Sequence, residues 1–273
     1  MPFAAVRDLQ VHYAIRGSGP RLLGIGATGW VLGQAPSILD MPFARHFEVL
    51  AYDQRGFGQT VSPDTPCSMA DYAADASALL DALGWDRCAV VGISFGGMVA
   101  QELALRHPHR VERLVLACTS SGGAGGASYP LHQLADLPPA EHARRFLLLS
   151  DKRRLEMVET AMFQGMLAQM QARLMEGLYH PSRGAGARRQ LAARASHDTF
   201  SRLQQLRMPV YICGGRHDDI APPANLDAMQ RQIPGALLEF FEGGHTFHEQ
   251  DPSAPQRMLE FLQGKPERKA RTT

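Results

Sequence analysis

Short apolar runs that end in turn residues recur along the chain, and stretches with helical spacing lie between them. Leu22 to Ile25, Phe47 to Tyr52, Cys88 to Val91, Leu114 to Cys118, Val210 to Cys213 and Leu237 to Phe241 are too short for buried helices and read as strands. Val6 to Ile15 alternates and reads as an opening strand, closed by Gly17-Ser18-Gly19-Pro20. Elsewhere the period changes. Ser68 with Asp71 forms a capping box opening an alanine-rich helix to Leu83, and Gly84 stops it. After Gly96-Gly97 a second helix carries Val99 and Leu103 on one face and ends at Pro108, and Pro252 to Leu262 supplies a closing helix. This alternation predicts an α/β fold with a doubly wound, mostly parallel sheet.

The alternation lapses once. Ser120 to Gly126 has the composition of a flexible hinge, and from Pro138 to about Leu206 no strand pattern appears. The expected division is a core of residues 1–120 and 207–273 with an inserted helical cap at 121–206. Within the cap, Met162, Met166 and Met170 repeat at i, i+4. Such a row is expected in the core or between helices, with an adaptable pocket wall as the alternative. Arg144, Arg145, Arg153, Arg154, Arg188 and Arg189 are expected on a solvated face, one of them open to a substrate carboxylate.

Composition narrows the function classes. At 273 residues the chain can hold one large domain with an insertion, and its formal net charge is +1. That balance argues against a nucleic-acid or membrane-surface partner. No apolar run approaches membrane length, and the N-terminus lacks a signal-peptide pattern, so a cytoplasmic setting is expected. Cys67, Cys88, Cys118 and Cys213 show no metal spacing, and the last three sit in or beside strands as small core residues. The basic run Lys265 to Arg271 reads as a frayed tail. No cofactor or metal is expected, and a homodimer is compatible with the sequence.

The chemistry centres on Gly92-Ile93-Ser94-Phe95-Gly96, a G-x-S-x-G between a strand and a helix. This is the pattern of a nucleophile elbow, a sharp turn that lifts a serine hydroxyl clear of the sheet. The helix N-terminus that follows places unpaired N–H groups where an oxyanion would form. A serine needs a base within reach, and the base needs an acid to hold its tautomer. Ligands gather at the carboxyl ends of strands in such sheets, so the partners should follow strands. Of the 11 histidines, His245 fits best, after a strand and a Gly-Gly turn, with His248 as rival. Asp218 and Asp219 both follow the Val210 strand; Asp218 stands where the loop first turns, whereas Asp219 is expected to face outward or cap. Asp53 and Arg55, bracketing the turn after Tyr52, are expected to pin loops and not to react.

The elbow GISFGG, the loop DQRGFG, the acid loop GGRHDDIAP and the terminal GGH together resemble the α/β-hydrolase fold superfamily over nearly the whole length. Within it the chain is similar to the capped branch of enol-lactonases, aclacinomycin-type methylesterases and haloperoxidase-like esterases. The resemblance implies a serine hydrolase of a small carboxylic ester or lactone, with Ser94, Asp218 and His245 as catalytic residues. It places the oxyanion hole at the N–H groups of Phe95 and Thr28. Relatives usually carry His-Gly where this chain has Gly26-Ala27, which leaves the anchoring of that loop open. Two alternatives stand beside the esterase: a carbon–carbon bond hydrolase on the same residues, and a slow-turnover small-molecule receptor of the same fold.

Overall fold

The computed structural model describes residues 1–180 and 184–265. Its strands are β1 (Phe3–Val6), β2 (Leu9–Arg16), β3 (Arg21–Ile25), β4 (Glu48–Tyr52), β5 (Cys88–Ile93), β6 (Val111–Ala117), β7 (Val210–Gly215) and β8 (Leu237–Phe241). They form one sheet in the order β1-β2-β4-β3-β5-β6-β7-β8. β1 and β2 pair antiparallel, as do β2 and β4, and every later pairing is parallel. The order reverses around β3, so a crevice opens beside the carboxyl end of β5, the usual ligand position in open α/β sheets.

Helices cover both faces, as a mostly parallel sheet requires. On one side α1 (Met69–Ala82), α2 (Phe95–Arg106) and α6 (Pro223–Gln232) bury Tyr72, Leu79, Val99, Leu103 and Met229 in one cluster with Val90, Leu114 and Ile212 of the sheet. α2 lies over β5 and β6, α1 beside α2 and β1, and α6 over β7 and β8. On the other, α8 (Ser253–Leu262) packs Met258 and Leu259 with Phe43 and Phe47. β5 is buried at all six positions, which explains its uninterrupted apolar spelling. The capping box at the head of α1 is present in both directions between Ser68 and Asp71. Cys88, Cys118 and Cys213 are buried thiols with no disulfide.

Between β6 and β7 the described residues contain no strand. They contain α3 (Pro139–Ser150), α4 (Ala161–Glu176) and α5 (Gly184–Ala195). α4 fully buries Phe163 and leaves the methionine row at the rim, with Met162 66% exposed and Met166 and Met170 half-buried. The glycine-serine run is not a loose hinge. Ser120 and Ser121 are completely buried; the Ser120 carbonyl accepts from Gln101, and the Ser121 carbonyl accepts from the Thr199 amide at 2.8 Å. Gly122, at φ 72°, lies so close to the His197 carbonyl that no Cβ fits there. The opening segment is a hairpin and not a single strand, because Arg7 turns the chain at φ 52° between β1 and β2. The basic tail beyond Lys265 lies outside the described residues.

Three histidines couple this fold to pH. Burial pushes His142, His197 and His248 down to about 4, from an ordinary 6.5, and the His245 ring adds to the effect on His248. Each stays neutral in the folded protein while the unfolded chain takes up protons below 6.5. Stability is therefore complete above that value and falls between pH 6.5 and 4. His197 and His248 each add up to about 1.4 kcal/mol of loss per pH unit in that window. Denaturant unfolding at pH 7, 6 and 5 should show a midpoint that drops progressively; an unchanged midpoint would contradict these placements.

Candidate active site

β5 carries the chain to Ser94, which sits at φ 54° and ψ −113°. This is a strained backbone for a residue with a Cβ, worth about 1–3 kcal/mol, and persists where the surroundings enforce it. They do. The Ser94 N–H donates to the Ala117 carbonyl at 2.8 Å, and the Ser94 carbonyl accepts from Thr119 Oγ1 at 2.8 Å and the Gly97 N–H at 2.9 Å. The flanking glycines are obligatory. A Cβ at Gly92 would run into the Gly96 backbone, and one at Gly96 into the carbonyls of Ile25 and Gly26.

Two further loops meet this turn. His245 Nε2 lies 2.8 Å from Ser94 Oγ, and His245 Nδ1 lies 2.7 Å from Asp218 Oδ2. Asp218 is wholly buried, and its Oδ1 accepts the N–H groups of Ile220 at 2.8 Å and Ala221 at 3.0 Å. Both carboxylate oxygens are thus engaged, and Nδ1 is set as the protonated nitrogen facing Asp218. The rivals fall elsewhere. Asp219 is exposed and uses its N–H to bind the Leu149 carbonyl. His248 Nδ1 has no hydrogen-bond partner, and its Nε2 is 3.7 Å from Glu249 Oε1.

The end of α3 stitches these loops together. The Leu149 carbonyl accepts from Asp219, the Ser150 carbonyl from the His245 N–H, and the Lys152 N–H donates to the His217 carbonyl. A side chain at position 244 has no room, because Gly244 lies against the Ser150 carbonyl.

Among the described residues, no hydrogen bond engages the N–H of Phe95 or of Thr28. The loop bearing Thr28, which begins Gly26-Ala27, is anchored by side chains from other parts of the chain. Gln54 Nε2 donates to the Gly26 carbonyl at 3.1 Å, the Gly29 N–H to Gln190 Oε1 at 2.8 Å, and the Leu32 N–H to Asp53 Oδ1 at 2.6 Å. Asp53 is itself buried and bonded through Oδ2 to His12 Nδ1 at 2.6 Å. Arg55 makes a two-pronged buried pair with Asp75, at 2.6 and 2.8 Å. Both residues after Tyr52 therefore pin loops. Gln54 and Gln190 carried no signal in the sequence, since their partners lie 28 and 161 residues away.

Ser94 and His245 open onto a cavity of about 460 Å³. Trp30, Ile38, Met41, Ile93 and Pro255 give it apolar walls, and among the described residues no lysine or arginine lines it. Asp40 and Glu249 stand at its edge, where Asp40 is paired with Arg16. The methionine row and Arg144, Arg145, Arg153, Arg154, Arg188 and Arg189 are not among its lining residues. Arg145 pairs with Glu141, Arg153 with Asp151, and Arg189 with Asp64. No metal-binding cluster of His, Cys, Asp or Glu occurs among the described residues, and no described helix is long and apolar enough to cross a membrane.

Comparison with known proteins gives the site its family. The profile of the alpha/beta hydrolase fold matches residues 24–252. The chain is 28% identical to a putative carbamate hydrolase, RutD, of Azorhizobium caulinodans, over 95% of this chain and 97% of that protein. It is 33% identical to a 2-hydroxymuconate semialdehyde hydrolase of Pseudomonas sp. (strain CF600), over 85% and 78%. Among solved structures, the enol-lactonase from Burkholderia xenovorans LB400 superposes with a TM-score of 0.78 at 25% identity, covering 96% of this chain and all of that one. The chain belongs to the α/β-hydrolase fold family. It is a hydrolase of that fold.

The elbow's packing makes a sharp expectation. Gly96→Ala should prevent the turn from closing, because a methyl group at 96 meets backbone carbonyls that cannot move aside. Its yield of folded protein, read by circular dichroism and size-exclusion chromatography, should fall far below that of Gly165→Ala, at an exposed helical position of α4 with open space around it.

Proposed function

We propose that this protein hydrolyses a small carboxylic ester or lactone through an acyl-enzyme on Ser94. The observation that carries the reading is the continuous hydrogen-bonded chain from Ser94 Oγ through His245 to Asp218. Ser94 Oγ attacks the acyl carbon while His245 Nε2 takes its proton, and Asp218 stabilises the resulting imidazolium. The uncommitted N–H groups of Phe95 and Thr28 receive the tetrahedral oxyanion. His245 then returns the proton to the leaving oxygen, and the acyl-enzyme forms. A water activated by the same imidazole breaks it, releasing the acid and restoring the serine.

The cavity supports a neutral substrate at the reacting centre. Its volume lies in the range that encloses small ligands, and its lining supplies apolar surface without a cation. The similarity to the enol-lactonase favours the same substrate class. The similarity to the 2-hydroxymuconate semialdehyde hydrolase favours carbon–carbon bond hydrolysis as the second reading. A panel of simple esters, lactones and dienoic keto acids separates the two by which is turned over.

Ser94→Ala should lower turnover of p-nitrophenyl acetate or butyrate by on the order of 10⁶-fold while leaving the circular dichroism spectrum unchanged. A serine-directed phosphonate should label the wild type at residue 94 and leave the variant unlabelled. Activity retained in Ser94→Ala overturns the assignment. Asp218→Asn keeps the shape of the acid but presents an amide to Nδ1, which reverses the preferred tautomer. Its kcat should fall by about 10⁴-fold, with KM for the ester little changed.

A further inference from the structure

A second, smaller cavity lies away from the one at Ser94, between the first turn of α2, the loop after the glycine run and the end of α5. Met98, Gly122, Tyr129, Arg194 and His197 are among its walls, and its volume is about 80 Å³. Arg194 is 5% exposed, and none of Nε, Nη1 and Nη2 has a hydrogen-bond partner. His197 is 7% exposed, and neither ring nitrogen has one. An unpartnered buried guanidinium is among the costliest groups a fold can hold. The carboxylate whose charge it feels most is Asp218, but both of that residue's oxygens are already taken by His245, Ile220 and Ala221. Burial lowers Arg194 to about 10, so it remains a cation at neutral pH. His197, lowered to about 4, is neutral there and offers one N–H.

We propose that this cavity is a binding site for a small carboxylate, gripped by the Arg194 fork with His197 beside it. The planar guanidinium presents paired donors matched to the two oxygens of a carboxylate, and a carboxylate supplies the charge the pocket lacks. The volume suits this: it holds several times the roughly 10–15 Å³ that one water needs, and is about half that of a roughly 150 Å³ cavity that takes up benzene. The inference does not rest on Ser94 being a nucleophile. The carboxylate can be a group on the substrate or a free anion, and the experiment separates these sources.

The probe is sodium acetate, compared with sodium chloride at equal ionic strength. Acetate should raise the unfolding midpoint of the wild type in a saturable way, as a ligand of the native state does, and should give saturation-transfer NMR signals that formate competes away. Arg194→Met should lose both responses, and in chloride it should melt at or above the wild type because a buried unpaired charge is gone. Should that variant fail to fold, the NMR competition on wild type and on Arg194→Lys carries the test. If the carboxylate belongs to the substrate, monomethyl succinate should be preferred to methyl butyrate by at least about tenfold in kcat/KM, the ordinary worth of a charge-assisted hydrogen bond. Arg194→Met should erase that preference. If it is a free anion, acetate binding is lost in Arg194→Met with the ester preference unmoved. Either result supports the site, and the binding measurements stand even if no ester is hydrolysed. Acetate indistinguishable from chloride on wild type, with Arg194→Met altering only the pH–rate profile, overturns the proposal and leaves Arg194 a counter-charge for Asp218.

Discussion

The 2.7 Å hydrogen bond between Asp218 and His245 is the constraint that orients the rest of the site. Asp218 cannot rotate, because two amides of its own loop hold the other oxygen and no solvent reaches it. A fixed acceptor fixes the direction of the imidazole, and the far nitrogen then points at one place. The elbow puts a hydroxyl at that place by holding Ser94 in a conformation few residues tolerate. Tautomer and ring direction thus follow from one buried carboxylate, and the elbow independently brings the Ser94 hydroxyl to the far nitrogen.

A second buried carboxylate organises the opposite wall. Asp53 receives the Leu32 and Gln59 amides and the His12 ring at once, so the loop carrying Thr28 is tied to β2 and to the end of β4. Arg55, one turn further, is locked to Asp75 of α1. Removing one partner of such a buried pair typically costs about 3–5 kcal/mol, because the other charge is left stranded. Gln54 and Gln190 complete the anchoring of this loop.

What the sequence revealed was what depends on short spacing. Strand ends, the elbow, and the positions of Asp218 and His245 after their strands are local facts, and the sheet places each where its spacing implies. The hairpin at Arg7 escaped because an arginine at positive φ carries no turn signal. The four-residue helix α7 (Phe247–Gln250) is too short to show a period. The glycine run read as loose for a compositional reason, whereas those glycines answer to carbonyls and side chains arriving from far along the chain. Arg194 is the clearest case. Its neighbours Arg188 and Arg189 share its spelling but not its burial, and only the assembled fold distinguishes them.

The stitch at Leu149 to Lys152 links the helical segment to the chemistry mechanically. The main chain of the acid loop and that of the histidine loop are both fastened to the same helix end, in the segment between β6 and β7. A displacement of α3 is therefore transmitted directly to the proton carrier. The helix end and the two loops form one hydrogen-bonded unit, so a substitution that shifts α3 moves the Asp218 carboxylate and the His245 ring together.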